Sequence, residues 1–409
     1  MPRQQSDPSP HDAQDEAAGW QLVPLADYSL PSTPAASAAR ARWTSLRRLF
    51  ARGGEAAETP ARAEADLRGL PEPVLDALVA PVDWSAAAEA LQQRRVQDRA
   101  AGGVTCVVGP PRSGHAALLH RWASAEGARV VEPPGADEIL AGGRAWLDDW
   151  PGDGRLWLLP RLEHCWLRHA AGLALVRELL ERAQAGRLGQ GVIGCDSWAW
   201  AYLRRVAALP AQSVLTVQAF DGPRLAALFR DLLALDEPRP VHFRNAQTGK
   251  LVLAVDGGDD GDGGAELQYL AVRARGNAGL ARALWRRRLR AEPDSAEGAE
   301  GADGAAADDD DTGATIWLAA PPAAPGLTSN LDEAAALLLH ALLLHNGLSA
   351  ALLAELLPLP PYRVRMRLQW LAALGAIAAG VDGRWRIQAV AYSAARDLLR
   401  AQGFLLDDF

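Results

Sequence analysis

The sequence predicts an α/β fold in which helices cover both faces of a parallel sheet, followed by a smaller and mostly helical domain. Between residues 81 and 290, short apolar runs alternate with helical patterns, which is typical of parallel sheets. A turn bounded by two glycines joins the first of these runs directly to a helix. Beyond an acidic stretch, the residues from about 329 onward return to amphipathic helical spacing.

The composition indicates a folded protein with two or three domains and reduced cysteines. The chain has 409 residues, 49% of them hydrophobic. Its net charge of −8 argues against a protein that binds nucleic acid non-specifically over its whole surface. Cys106, Cys165 and Cys195 are too widely spaced for a disulfide framework or a zinc site, so we expect no metal. Neither a signal peptide nor an apolar run of about 20 residues is visible, and we expect a cytoplasmic protein without a transmembrane segment.

Residues 1–80 are predicted to be mostly disordered, because they are rich in small and polar residues and offer little to bury. One segment differs, since apolar residues recur at helical spacing among arginines within 39–52. This pattern predicts a basic amphipathic helix near 39–52. Such a helix can make peripheral contact with an anionic membrane, dock on a partner, or pack on its own domain, and the sequence leaves these alternatives open.

Five apolar runs are the predicted strands of the parallel sheet, and each is short enough to be fully buried. They cover residues 104–108, 128–131, 156–159, 191–194 and 214–217. Helical patterns fall between them, most clearly at 170–183 and 199–208. A hairpin is predicted at 241–255, and a pair of helices follows it.

The turn after the first predicted strand has the outline of a phosphate-binding loop. Gly109 and Gly114 enclose four residues between a strand and a helix, so that backbone N–H groups and the helix N-terminus can surround a phosphate. The lysine and the hydroxyl residue that normally close such a loop are replaced by His115 and Ala116. The candidate nucleotide-binding residues of the turn are Gly109, Pro110, Pro111, Arg112, Ser113, Gly114, His115 and Ala116.

The segment GPPRSGHA at 109–116 resembles the GPPGSGK form of this loop in AAA+ and STAND ATPases, and the resemblance extends over roughly residues 81–290. It implies a P-loop NTPase-like domain with a helical lid and with ATP as its ligand. It also implies an aspartate at the tip of the third strand, a polar sensor residue at the tip of the fourth, and an arginine in the lid.

At the ends of the predicted strands, the sequence has the spacing of this family but lacks its charged residues. Pro160 stands in place of the aspartate. Glu163 follows three residues later, where it could reach the site or lie in the first turn of a helix. Asp196 or Ser197 fits the sensor position, although either residue could also cap the next helix.

The lid segment GNAGLA (276–281) carries Gly279 where the family has arginine, and Arg282 lies one turn further along. Phosphoryl transfer depends on such charges, so we expect weak or lost hydrolysis and do not expect an enzyme. The resemblance then implies a regulatory or scaffold protein, with ATP as a switch ligand bound weakly or without magnesium. Arg112 or a protonated His115 would supply part of the missing charge. The alternative is an active ATPase in which Arg112, Glu163 and Arg282 act as substitutes.

An acidic, low-complexity stretch predicts a disordered linker over 291–328. Residues 329–409 then show three helical patterns and an alternating segment around an Asp-Gly pair, which together resemble a winged-helix domain. Arg363 and Arg367 share one face of the third helix and could contact DNA phosphates, so a DNA-binding regulator is a second alternative. Because this helix is otherwise apolar and has acidic neighbours, we expect a protein partner or self-association instead.

Overall fold

The computed structural model gives the fold of the chain over most of its length. It describes residues 19–32, 61–97, 103–151, 154–209, 214–233, 241–254, 263–292, 314–327 and 331–409. The predicted basic helix near 39–52 and the acidic stretch 293–313 lie outside the described residues. In the described ranges, no helix is both long enough and apolar enough to cross a membrane.

The described residues form two compact units, and the division does not follow chain order. The first unit consists of Trp20–Ser29, Asp83–Gln218 and Ala323–Phe409. The second unit consists of the described residues of Leu30–Val82 and Ala219–Pro322. The phosphate-loop segment and the C-terminal domain therefore belong to one unit, whereas the segment predicted as one domain at 81–290 is divided after residue 218.

The strands of the described residues are short and are numbered along the chain. They are β1 (Leu22–Pro24), β2 (Arg68–Gly69), β3 (Val104–Gly109), β4 (Arg129–Val130), β5 (Trp157–Leu159), β6 (Gly191–Asp196), β7 (Val214–Val217), β8 (Val241–Asn245), β9 (Leu251–Ala254), β10 (Leu289–Ala291), β11 (Ala314–Leu318), β12 (Ile377–Ala379) and β13 (Trp385–Ile387). The five runs predicted as strands of the parallel sheet correspond to β3 to β7.

The helices are numbered in the same way. They are α1 (Glu72–Leu78), α2 (Ser85–Gln97), α3 (His115–Glu126), α4 (Ala136–Leu140), α5 (Arg144–Asp148), α6 (Ala174–Gln184), α7 (Ser197–Val206), α8 (Gly222–Asp231), α9 (Gly263–Arg273), α10 (Ala278–Arg286), α11 (Glu333–Leu344), α12 (Ala350–Leu356), α13 (Pro361–Ala373) and α14 (Tyr392–Ala401). Most of the strands of the parallel sheet are thus followed by a helix, as the alternating sequence pattern predicts.

The first unit contains a six-stranded sheet with the order β1-β7-β3-β6-β5-β4. Strands β3 to β7 run parallel, and β1 is antiparallel at one edge. Helices α2 and α3 pack on one face through residues such as Leu91 and Trp122. Cys106 and Cys195 point to the opposite face by strand alternation and are equally buried. The predicted α/β class, with a parallel sheet covered on both faces, is therefore confirmed.

The second unit contains a five-stranded sheet with the order β2-β10-β11-β8-β9. β8 and β9 form the hairpin predicted at 241–255, and β8 runs parallel to β11. Helices α9 and α10, the pair predicted after the hairpin, contact each other and α8 within this unit.

Three strands and helix α1 lie in segments that are predicted to be disordered. β1 and β2 lie within 1–80 and pair with β7 and β10, and β11 lies within 291–328 and pairs with β8 and β10. The linker is thus interrupted, because Ile316–Leu318 of β11 are buried in the second sheet. The expectation is wrong for all three strands for one reason. Segments of two to five residues are too short to show periodicity, and they are stabilised by strands distant in sequence.

Residues 331–409 have the element order predicted for a winged-helix domain. Helices α11, α12 and α13 precede the two-stranded hairpin of β12 and β13, and α14 follows. The interior of this domain is formed largely by α11, whose residues from Ala335 to Leu344 are almost all buried. Ser349 caps α12 by accepting a hydrogen bond from Leu352 N at 3.2 Å.

Asn277 begins α10 as its N-cap. Its side-chain oxygen accepts a hydrogen bond from Leu280 N at 3.0 Å. The preceding Gly276 has a φ of 71°, and a Cβ there would overlap the side chain of Ala219. The segment GNAGLA therefore has a local structural explanation in a helix cap and a close backbone approach.

We expect Asn277→Ala to lower the free energy of unfolding by about 1 kcal/mol, because it removes the cap of α10. Asn277→Ser keeps an accepting oxygen at this position and is the matched control, so it should retain most of the stability. Urea unfolding followed by circular dichroism measures both variants. Equal destabilisation by alanine and serine would show that capping is not what Asn277 contributes.

Candidate nucleotide-binding loop

The backbone between β3 and α3 follows the course predicted for a phosphate-binding loop. β3 ends at Gly109, and α3 begins at His115. Between them, Arg112 and Gly114 adopt left-handed conformations with φ of 68° and 83°. This conformation costs a non-glycine residue about 1 kcal/mol, so the surrounding structure holds Arg112 against an intrinsic preference.

Gly114 is required at its position for two reasons. Its positive φ disfavours a side chain, and a Cβ there would overlap the indole of Trp84. Trp84 also contacts Trp20, with ring centroids 4.8 Å apart. The loop is therefore held in shape by packing as well as by its own backbone.

His115, which takes the place of the lysine, is turned back onto the loop. Its Nδ1 lies 2.9 Å from Ser113 Oγ, and a Cβ on Gly109 would lie 2.7 Å from the same nitrogen. The residue is 5% exposed. Burial, and then the positive charge of Arg161, lowers the pKa of His115 to about 4. Burial therefore disfavours the protonated imidazole that was expected to supply charge to the loop.

Several backbone donors of the loop are missing or already engaged. Pro110 and Pro111 have no N–H group. Ser113 N donates to Pro110 O at 3.0 Å, and His115 N lies 3.4 Å from Ser113 Oγ. A bound anion would therefore depend mainly on the amides and the dipole at the first turn of α3.

Arg112 is directed at the C-terminal domain. Its Nη2 donates a hydrogen bond to the carbonyl oxygen of Ile387 in β13 at 2.8 Å. Ala116 has a methyl group where the hydroxyl of a P-loop would hold magnesium. In this arrangement Arg112 is engaged with β13, and Ala116 offers no oxygen to a metal ion.

Glu163 is buried beside the end of β5. It lies in a short 3-10 turn, Leu162–His164, after Pro160. Its Oε2 accepts a hydrogen bond from Asp196 N at 3.0 Å. Glu163 therefore supports the backbone at the tip of the neighbouring strand and has no contact with bulk solvent.

Asp196 lies at the end of β6, in register with Gly109, and is fully buried. Its Oδ1 accepts a hydrogen bond from Trp198 N at 3.1 Å and so caps α7. In the described part of the chain, its Oδ2 has no hydrogen-bond partner. Burial, and then the negative charge of Glu163, raises the pKa of Asp196 well above its ordinary value. Burial also raises the pKa of Glu163, so the structure favours the protonated form of both carboxyl groups.

Ser197, the other predicted sensor residue, contacts the C-terminal tail. Its hydroxyl donates to Asp407, which also forms a buried ion pair with Arg396. Arg396 Nη2 donates to the backbone oxygen of Asp407 at 2.7 Å. Trp198 Nε1 donates to Tyr392 Oη at 3.1 Å. These contacts fasten α14 and the tail to the start of α7.

The end of α11 closes the same edge of the sheet. His345 Nδ1 lies 3.4 Å from the carbonyl oxygen of Glu163, and its ring is 4.4 Å from that of Trp166. His340 Nε2 lies 3.2 Å from the carbonyl oxygen of Leu405 in the tail. Burial is the main cause that lowers the pKa of both histidines to about 4, so both are neutral at pH 7.

Arg282 belongs to the second unit and is engaged there. Its guanidinium donates to Val79 O at 2.7 Å and to Ala80 O at 3.1 Å. These bonds join α10 to the residues that follow α1. Arg282 therefore has a structural role within its own unit.

The structure brings the predicted loop residues, Glu163, Asp196 and Ser197 to one edge of the sheet. The residues that meet them from the C-terminal domain were not predicted, and they are Ile387, Tyr392 and Asp407. They lie between 194 and 275 positions from their partners. No local motif marks them, so the pattern of the sequence could not have found them.

The sheet and the loop together define a P-loop NTPase-like core. No family model matches the chain, and no curated protein matches it. Among solved structures, the chain is similar to the ORC2 protein of Aeropyrum pernix, solved as ADPNP–ADP complexes. The two sequences are 14% identical, 82% of this chain and 99% of that chain are covered, and the TM-score is 0.32. A likeness this distant says nothing about which residues bind or react.

We expect Asp196→Asn to stabilise the protein near pH 8 and to have little effect near pH 4. Because folding raises the pKa of Asp196, the protonated carboxyl favours the folded state. This contribution is present below the ordinary pKa of about 4 and is lost as the pH rises through the raised value. Asparagine keeps the cap on α7 but cannot ionise. At high pH the free energy of unfolding should therefore increase by about 1.4 kcal/mol for each unit by which folding raises the pKa of Asp196.

Urea unfolding at a series of pH values measures this effect as a shallower fall of stability with rising pH. Asp408→Asn is the matched control, because Asp408 forms an exposed ion pair with Arg204. Its pH dependence should stay close to that of the wild type. An unchanged slope in Asp196→Asn would contradict the raised pKa.

Proposed function

We propose that this chain is a regulatory or scaffold protein, built on a P-loop NTPase-like core that no longer hydrolyses ATP. The observation that carries the proposal is the state of the strand tips beside the loop. Pro160 directly follows the last residue of β5, and the two nearby carboxyl groups, Glu163 and Asp196, are both buried. A carboxylate that holds magnesium or orients water must be ionised, whereas burial raises the pKa of both Glu163 and Asp196 and so disfavours their charged forms.

ATP is the candidate switch ligand in this proposal, bound weakly and without a requirement for magnesium. The first turn of α3 supplies amides and a dipole for a phosphate. His115 is uncharged and Ala116 has no metal ligand, so the electrostatic part of the usual binding is missing. Loss of one such donor typically lowers a rate by about 10²–10³-fold, so we expect no turnover after the combined losses.

The C-terminal domain supports a regulatory role, because it contacts both parts of the candidate site. Arg112 of the loop donates to Ile387, and Ser197 at the strand tip donates to Asp407. A ligand or partner that broke either contact would therefore alter the position of the C-terminal domain relative to the loop or the strand tip. A cytoplasmic location belongs to the same proposal, and it is supported by the three cysteines, which are free and buried.

An active ATPase that uses substitute residues has weaker support. Arg112 and Arg282 donate to backbone carbonyls, and Glu163 is hydrogen-bonded within the core. Each of the three side chains would have to leave its present partner before it could act on a nucleotide.

Two measurements on the purified full chain test the proposal. Phosphate release with ATP and magnesium should not exceed the background, and calorimetric titration should give weak binding that is the same with and without magnesium. His115→Lys combined with Ala116→Thr restores the two missing loop residues and is expected to increase ATP affinity and its dependence on magnesium.

The control for these measurements is Gly114→Val, which places a side chain against Trp84. Circular dichroism must show that each variant is folded. Magnesium-dependent phosphate release by the wild type that is lost in folded Gly114→Val would overturn the proposal and favour the active ATPase.

A further inference from the structure

Helix α13 exposes an apolar stripe on its outer side. Tyr362, Met366 and Trp370 are 59%, 50% and 39% exposed. They are spaced four residues apart, so they follow one side of the helix over about 12 Å. Val364 and Leu368 are buried and provide the opposite side, which packs on the rest of the domain. The stripe is therefore additional to the apolar surface that the fold needs.

Arginines border this stripe on both sides. Arg363 and Arg367 lie along one edge by helical spacing, and Arg365 lies along the other. Arg367 forms an ion pair with Asp332, and its guanidinium is 5.7 Å from the ring centroid of Trp370. Within the described ranges, Arg363 and Arg365 form no ion pair and are exposed. The face is thus apolar along its centre and positively charged along its edges.

We propose that this α13 stripe, made of Tyr362, Met366 and Trp370 with Arg363 and Arg365 at its edges, is a docking surface for an acidic amphipathic helix of a protein partner. Packing of the two helices would bury the three apolar side chains, and carboxylates of the partner would meet the arginines. Tyrosine, tryptophan, methionine and arginine are the residues enriched at protein interfaces. This docking surface would be where a partner binds in the proposed regulatory role, and the proposal rests on that role.

Duplex DNA and a second copy of the chain fit this face less well. A helix reads DNA with polar groups on base edges, whereas the centre of this face is formed by Tyr362, Met366 and Trp370. Packing of two α13 helices against each other would bring arginines of equal charge together, which is unfavourable. An acidic helix satisfies both the apolar centre and the charged edges.

The probe is a fluorescent synthetic helical peptide with leucines along one face and glutamates on both edges of that face. The control peptide has lysine at each glutamate position. Fluorescence anisotropy with the full-length protein, without nucleotide, measures binding. We expect the wild type to bind the glutamate peptide at least about tenfold more tightly than the lysine peptide.

Three variants separate the contributions of the face. Met366→Ser should weaken binding of the glutamate peptide about tenfold by removing the central apolar contact. Arg363→Glu with Arg365→Glu should reverse the preference between the two peptides. Arg205→Glu changes an exposed arginine on α7 and should bind like the wild type. All four side chains are exposed, so circular dichroism should show unchanged folds.

Equal binding of the two peptides, or no binding of either, would overturn the inference. Tighter binding of a short DNA duplex than of the glutamate peptide would also overturn it, if the duplex binding is lost when the two arginines are reversed and kept in Met366→Ser. A dimer that is seen by sedimentation and dissociates in Met366→Ser would overturn it as well. Because the assay contains no nucleotide, its outcome is independent of the ATP titration. Failure of the docking surface is thereby distinguished from failure of the proposed regulatory role.

Discussion

Asp407 accepts a hydrogen bond from Ser197 while it is paired with Arg396, and all three residues are buried. In an interior of low dielectric, removal of Arg396 or Asp407 would leave the other with an unpaired charge, so the pair is costly to break. The network of these three residues fixes the C-terminal tail at the start of α7, where β6 ends. The C-terminal domain also contacts this edge of the sheet through Ile387, which accepts from Arg112, and through His345 beside Glu163.

The shape of the loop is maintained by forces that do not involve a nucleotide. β3 is buried along its whole length, and α3 packs on the sheet through Leu118 and Trp122. Gly114 is held against Trp84 by close packing. None of these interactions needs a phosphate or a metal, so the backbone form of the loop does not depend on a bound ligand. The shape of the loop and any chemistry at it rest on different residues.

Much of the parallel sheet could be predicted, because its strands are continuous apolar runs between helical patterns. β1 and β11 could not, because each is stabilised by partner strands far away in the sequence. The loss of charge at the loop was visible in residue identities such as His115 and Pro160. The protonation state of His115 could not be predicted from its identity, because it depends on burial and on Arg161, which lies 46 positions away in the sequence. The local sequence predicts which chemical groups a residue offers, whereas tertiary contacts decide whether those groups are charged and accessible.

The first unit is assembled from three separate segments of the chain, with most of the second unit inserted between the last two. During synthesis, Ser197 leaves the ribosome 210 residues before Asp407. Until the tail emerges, the polar and aromatic groups at the start of α7, Ser197 and Trp198 among them, have no internal partner from α14. The core of the first unit is therefore completed only when the last residues of this sequence have been synthesised, about half the chain after Ser197.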